Sequence, residues 1–189
     1  MQRAEINLRP VQESDLDRIL AWRNSERVRS FMYTDHIITA AEHRAWFERL
    51  RGAEFPAALV FEYRGMPAGL KSFTRIDRGN NLCYWGFYLG ESELPKGCGS
   101  AMGFLALEYA FERLALRKLC AEAFAFNEGS LKYHTRLGFS QEGRFVRHVL
   151  KNGRYEDVIS FALFRDDWIA SKQALAAAIF QEGGKDEHR

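Results

Sequence analysis

Three features of this 189-residue chain put chemically useful groups in telling positions. Lys96-Gly97-Cys98-Gly99-Ser100-Ala101 lies between an apolar run, Leu82–Leu89, and a stretch of helical periodicity. Glycines there let backbone approach a ligand, and the unpaired N–H groups of a first helical turn, at its positive dipole end, form an anion site. A turn with a glycine N-cap reads the same residues equally well. The loop is neither a Walker loop nor GxGxxG, because Met102 takes the third glycine's place. Thirty residues after Gly97 begins Asn127-Glu-Gly-Ser130-Leu-Lys-Tyr133-His134-Thr-Arg-Leu-Gly138-Phe139. It holds two competent proton donors, Tyr133 and His134, although His134 also reads as a helix-surface residue. Glu122 sits mid-strand in Cys-Ala-Glu-Ala-Phe. A carboxylate in such an apolar run is costly unless paired or functional, so it is either a base in a cleft or the partner of an arginine.

The elements that must position these groups follow from pattern. Glu5–Arg9 reads as a strand, and Ser14–Asp17 opens a helix bearing Leu16, Ile19, Leu20 and Trp22. Thr39-Ala-Ala-Glu42 is a capping box, and the helix behind it puts His43, Trp46, Phe47 and Leu50 on one face. Ala57–Tyr63, Pro67–Ile76 and Leu82–Leu89 form an antiparallel meander around the turns Arg64-Gly65-Met66 and Arg78–Asn81. Pro95–Ser100 opens a helix of about four turns. Lys118–Phe126 is a buried strand, Gly129–Leu137 a short helix ended by Gly138, and 139–150 and 155–164 are strands joined at Asn152-Gly153. A helix over 166–180 precedes a frayed tail, 183–189. Strands and helices in this order call for one mixed sheet with helices packed on it, a single domain over 1–182.

Composition narrows the function classes. Apolar residues make up 47% and charged residues 28%, which excludes general disorder. The balance of 27 basic against 25 acidic residues, with no block of like charge, argues against a nucleic-acid partner. Cys83, Cys98 and Cys120 have no metal-ligand spacing, so reduced thiols and no metal are expected. Met1–Pro10 has no apolar leader core and no run of 18 apolar residues occurs, so the expectation is a cytoplasmic protein with no membrane partner.

The loop at Gly97–Ala101 and the segment Asn127–Phe139, with its match at Asn127, small Ser130, Gly138 and Phe139, resemble the two signature motifs of the GCN5-related N-acetyltransferase (GNAT) superfamily. The resemblance spans essentially the whole chain. It implies an α/β (α+β) fold: a mixed, mostly antiparallel sheet of about seven strands flanked by helices, with a splay between the fourth and fifth strands. It also implies acetyl-CoA as co-substrate. The pyrophosphate would rest on Lys96, Gly97, Cys98, Gly99, Ser100 and Ala101, with Asn127 and Ser130 nearby. Phe87, Tyr88 and Leu89 would offer backbone to the pantetheine arm. Chemistry would be direct attack of a neutral amine, with Glu122 as base and His134 or Tyr133 as acid. Two positions depart from the pattern: Leu94 stands where the loop has Arg or Gln, and His134 where the superfamily has Tyr.

Trp22-Arg-Asn…Val28-Arg29…Met32…Glu42-His43-Arg-Ala-Trp46, the Tyr109–Leu114 stretch and Lys151–Tyr155 are similar to a narrower group. Its members acetylate the 4-amino group of a UDP-linked 4-amino-4,6-dideoxy sugar in pseudaminic acid biosynthesis, for flagellin glycosylation. That implies an amino-sugar nucleotide as acceptor, with Arg29, His43, Trp46, Lys71 and Trp85 contacting it. Arg23, Arg27, Phe31 and Tyr33 share the segment, and arginine suits a diphosphate. The ribosomal-protein alanine and polyamine acetyltransferases share much of this scaffold, and a catalytically degenerate acyl-CoA-binding module is a further alternative. The oligomeric state, a homodimer included, stays open.

Overall fold

A computed structural model describes residues 1–52 and 57–180, so the tail expected at 183–189 lies outside the described residues. Strands β1 (Ile6–Pro10), β2 (Ala58–Tyr63), β3 (Met66–Asp77), β4 (Leu82–Leu89), β5 (Lys118–Phe124), β6 (Ser140–Lys151) and β7 (Arg154–Phe164) form one sheet in the order β1-β2-β3-β4-β5-β7-β6. Every neighbouring pair is antiparallel except β4 and β5. Those two run parallel through only Leu82↔Lys118, Cys83↔Leu119 and Tyr84↔Cys120, then diverge. The mixed sheet with its splay is therefore as expected.

The hairpin turns follow from local chemistry. Arg64-Gly65 and Asn152-Gly153 are two-residue loops with both central residues at positive φ, the primed turns that match strand twist. The helices are α1 (Leu16–Asn24), α2 (Glu26–Arg29), α3 (Ala40–Arg51), α4 (Cys98–Glu108), α5 (Glu128–Arg136) and α6 (Arg165–Ile179). The capping box predicted for α3 is present, with Thr39 accepting from the Glu42 N–H. α4 is buried along almost its whole length, so it is the central helix and not an amphipathic one. Its Phe104, Ala106 and Leu107 share the main core with Leu119, Leu137, Phe161 and Trp168.

Three details depart from the pattern reading. α2 is an extra turn inside the arginine-rich segment. The helix expected to run on from α4 relaxes into a π turn, Tyr109–Arg113, where the Leu114 N–H bonds the Tyr109 carbonyl at 3.0 Å. β5 ends at Phe124, where Ala125 still bonds the Asp157 carbonyl of β7 and the chain then turns, Asn127 bonding back to Phe124.

Candidate active site

The splay opens into a cavity of about 590 Å³, within the range that small ligands occupy. One end lies at Gly99 and Leu89, the other at Tyr84 and Trp85, the first residue of β4 beyond the last parallel pair. One wall is the Arg23–Thr34 segment and the other α5 with Glu122 and Phe124 of β5. α1 and α2 are seated on the end of β4. Trp22 packs so closely on Gly90 that any side chain there would overlap the indole, and Arg27 donates to the Leu89 carbonyl at 3.1 Å and to that of Gly90.

At the Gly99 end the loop has the geometry of an anion site. Gly97 caps α4 at φ +98°, a conformation open to glycine at little cost. Of the residues expected to hold a pyrophosphate, Cys98 and Ala101 already spend their N–H groups on the Pro95 and Gly97 carbonyls, at 3.3 and 2.9 Å. Gly99 and Ser100 sit in the first turn, before intrahelical acceptors begin. The Cys98 side chain is buried in the core, its thiol pushed up by desolvation. Arg136 of α5 reaches the same place, its Nη1 3.3 Å from the Ser100 hydroxyl. Pattern reading passed over Arg136, although it stands two residues before Gly138. The Asn127 side chain accepts from the Ser130 N–H at 3.1 Å and so starts α5. Asn127, Ser130 and Phe87 to Leu89 all line the cavity.

The two expected acids differ. His134 is 1% exposed and both its ring nitrogens are committed. Nδ1 meets the Ser130 carbonyl at 2.8 Å, and Nε2 accepts the Trp85 indole N–H at 3.1 Å. Burial, with Lys71 close by, pushes its pKa down to about 4, so the ring is neutral and its one N–H is spent on the Ser130 carbonyl. The acid role expected of His134 gives way to a structural one. Tyr133 is buried, stacks on Phe87 at 4.1 Å, and its hydroxyl meets no partner among the described residues. Desolvation raises its pKa and keeps it protonated.

Lys71, expected to face the acceptor, is fully buried beneath the cavity wall. Its Nζ lies 2.9 Å from the centre of the Trp85 ring and 4.7 Å from that of Phe87, with no hydrogen-bond partner. Register explains this: Lys71 pairs with Phe87 and Phe73 with Trp85, so all four side chains share the face under α4 and α5. Desolvation drives the ammonium's pKa well down. A buried donor left without an acceptor costs about 1–3 kcal/mol, so the lysine is no stabilising choice.

On the acceptor side Glu122 lines the cavity, but Arg75 grips it with two bonds of 2.8 Å and the Tyr33 hydroxyl donates a third at 2.8 Å. Desolvation would raise the carboxyl's pKa; the Arg75 and Tyr33 bonds outweigh it and hold the group below the ordinary carboxylate range. Arg75 itself sits at φ 48° where the β3–β4 register slips, a bulge that swings its guanidinium over Tyr84. The 30–35 segment is pinned by Lys151, which is 4% exposed, pairs with Asp35 and donates to the Met32 carbonyl at 2.7 Å.

Three expected acceptor contacts point elsewhere. Arg29 pairs with Glu26 and bonds the Asp35 carbonyl at 2.8 Å. His43 is buried, its Nε2 3.0 Å from the Leu16 carbonyl, and Trp46 stacks on it at 4.9 Å. Helical spacing put both on the core face of α3. Arg23 takes the place expected of Arg29. It lines the cavity, binds Thr34 with one terminal nitrogen, and buries the other, Nη1, without a partner. Trp85 lines the cavity. No group of three or more His, Cys, Asp and Glu that could hold a metal occurs among the described residues.

Comparison with known proteins gives four findings. Residues 5–140 match the family model described as "Acetyltransferase (GNAT) domain". The chain is 24% identical over 165 residues to the spermidine N(1)-acetyltransferase of Escherichia coli (strain K12), covering 87% of this chain and 89% of that one. It is 28% identical over 101 residues to the [ribosomal protein uS5]-alanine N-acetyltransferase of the same organism, covering 53% of this chain and 52% of that one. The crystal structure of spermidine N-acetyltransferase from Vibrio cholerae in complex with CoA and spermine shares the fold. Its TM-score is 0.81 at 20% identity, over 88% of this chain and 99% of that one.

Proposed function

The chain belongs to the GNAT acetyltransferase family, an N-acetyltransferase with acetyl-CoA as co-substrate, and from that premise we propose that its acceptor is an anionic amine, an amino-sugar nucleotide in particular. One observation carries this reading: the acceptor wall has cations without counter-ions. Arg23 and Arg27 line it, and their contacts among the described residues are a hydroxyl and backbone carbonyls. Glu122, the one carboxylate lining the cavity among the described residues, is already neutralised by Arg75. A guanidinium half out of water favours a phosphate and repels a polycation. Tyr33, Tyr84, Trp85 and Phe31 add aromatic faces for a base or sugar ring.

One acetyltransferase domain over residues 1–182 would carry the activity. Acetyl-CoA supplies the thioester from which a neutral amine takes the acetyl group and releases the thiol. Gly99, Ser100 and Arg136 would hold its pyrophosphate, and the backbone of Phe87, Tyr88 and Leu89 would carry its pantetheine arm along β4. Tyr133, the candidate acid with an uncommitted proton, would protonate the departing thiolate. Glu122 would anchor Tyr33 and Arg75 at the mouth of the site, in place of the base role that sequence assigned to it. A polyamine or a ribosomal-protein N-terminus is the second reading, supported by what the relatives named above act on.

The test is thiol release from acetyl-CoA with a UDP-4-amino-4,6-dideoxy sugar, spermidine, a short Ala-first peptide, or no acceptor. Release with the sugar nucleotide alone is expected. Release with spermidine or peptide alone overturns the acceptor and keeps the chemistry. Coenzyme A binding with silence from all three would favour a binding module.

A further inference from the structure

Trp85 is held from two directions. Its indole N–H donates to His134 Nε2 at 3.1 Å, and His134 is in turn fixed by Nδ1 on the Ser130 carbonyl at 2.8 Å. Its ring face rests on the Lys71 amine, 2.9 Å from the ring centre. Phe139 packs at 4.8 Å. An indole bonded at its edge and supported at its face has no free rotamer to adopt. It stands at the vertex of the splay, the end of the cavity opposite Gly99.

We infer that Trp85 is the end wall of the acyl site and sets acyl-chain length, with Lys71 and His134 as the positioning residues that keep it there. This rests on the acetyl-CoA reading above: an arm anchored at Gly99 and running along β4 meets Tyr84 and Trp85 last. A two-carbon acyl group then ends against a wall that cannot yield, and longer acyl groups are refused because a locked wall cannot repack. A buried, unpartnered amine makes sense there. It offers an N–H to the ring face and so fixes the indole without needing a hydrogen-bond acceptor of its own.

Calorimetric titration of the intact protein with CoA, acetyl-CoA and butyryl-CoA tests this without any acceptor. Wild type should bind butyryl-CoA at least tenfold more weakly than acetyl-CoA. Trp85→Ala should bring the ratio to within about threefold, and so should Lys71→Met and His134→Phe, which leave the indole in place but free one side of it. Thermal midpoints separate release of the wall from loss of fold, since Lys71→Met removes a buried unpartnered amine and should raise the midpoint. His134→Gln, which keeps an acceptor for the indole N–H, should restore discrimination. Equal affinity of wild type for both acyl-CoAs overturns the inference and leaves the cofactor reading standing, as does discrimination unchanged in a folded Lys71→Met protein. No binding of CoA or acetyl-CoA would instead sink the cofactor reading on which it rests.

Discussion

Glu122 shows how a single side chain can be found from sequence while its electrostatic state is set by residues far away in the chain. Its cost in an apolar strand flagged it, and it does line the cavity. What settles its state is Arg75, 47 residues away and aimed by a bulge, together with Tyr33 from a different element. Because those bonds lower its pKa, the carboxyl is ionised from below the usual carboxylate range upward, so no limb of a neutral-range pH profile belongs to it. Glu122→Gln should therefore raise the acceptor KM about tenfold, through loss of the Arg75 and Tyr33 anchors, and leave the pH–rate profile in place. A rise in the pH at which rate climbs would restore the base. His134 carries the same lesson in reverse. Its place in the motif suggested an acid, and the indole that occupies Nε2 lies 49 residues away with nothing in sequence to announce it.

Elements were legible where local chemistry dictates them and less so where they meet. Gly97 ahead of α4, the Thr39–Glu42 capping box and the Asn152-Gly153 turn could all be read directly, because each depends on a few adjacent residues. The bulge at Arg75 was hidden in an alternating strand with no glycine to mark it. Equally hidden was the reach of the β6–β7 hairpin across the molecule. Lys151, at the end of β6, is almost fully buried because it holds the segment that carries Tyr33, pairing with Asp35 while Asn152 donates to the same carboxylate at 3.1 Å. Lys151→Met should free that segment. The acceptor KM is expected to rise about tenfold while acetyl-CoA affinity, seated on α4 and β4, changes less than twofold. Parallel losses in both would show that the hairpin supports the whole cavity and not one wall.

For the molecule as a whole, the important junction is the meeting of β4 and β5. The antiparallel blocks β1–β4 and β5–β7 share one sheet through three register pairs. A ligand seated between them touches both blocks, so acetyl-CoA at a hundredfold excess over its Kd should add about 2.7 kcal/mol to folding and raise the thermal midpoint by several degrees. An unchanged midpoint would mean that the groove is not its seat. The same divergence leaves β4 beyond Tyr84 and β5 beyond Cys120 each with one side unpaired by a neighbouring strand. Exposed strand edges of this kind invite pairing with other chains and aggregation. Here they are turned inward to face one another, and the Arg75–Glu122 pair spans the gap from β3 to β5, so the backbone surface offered to a ligand is withheld from strands of other molecules.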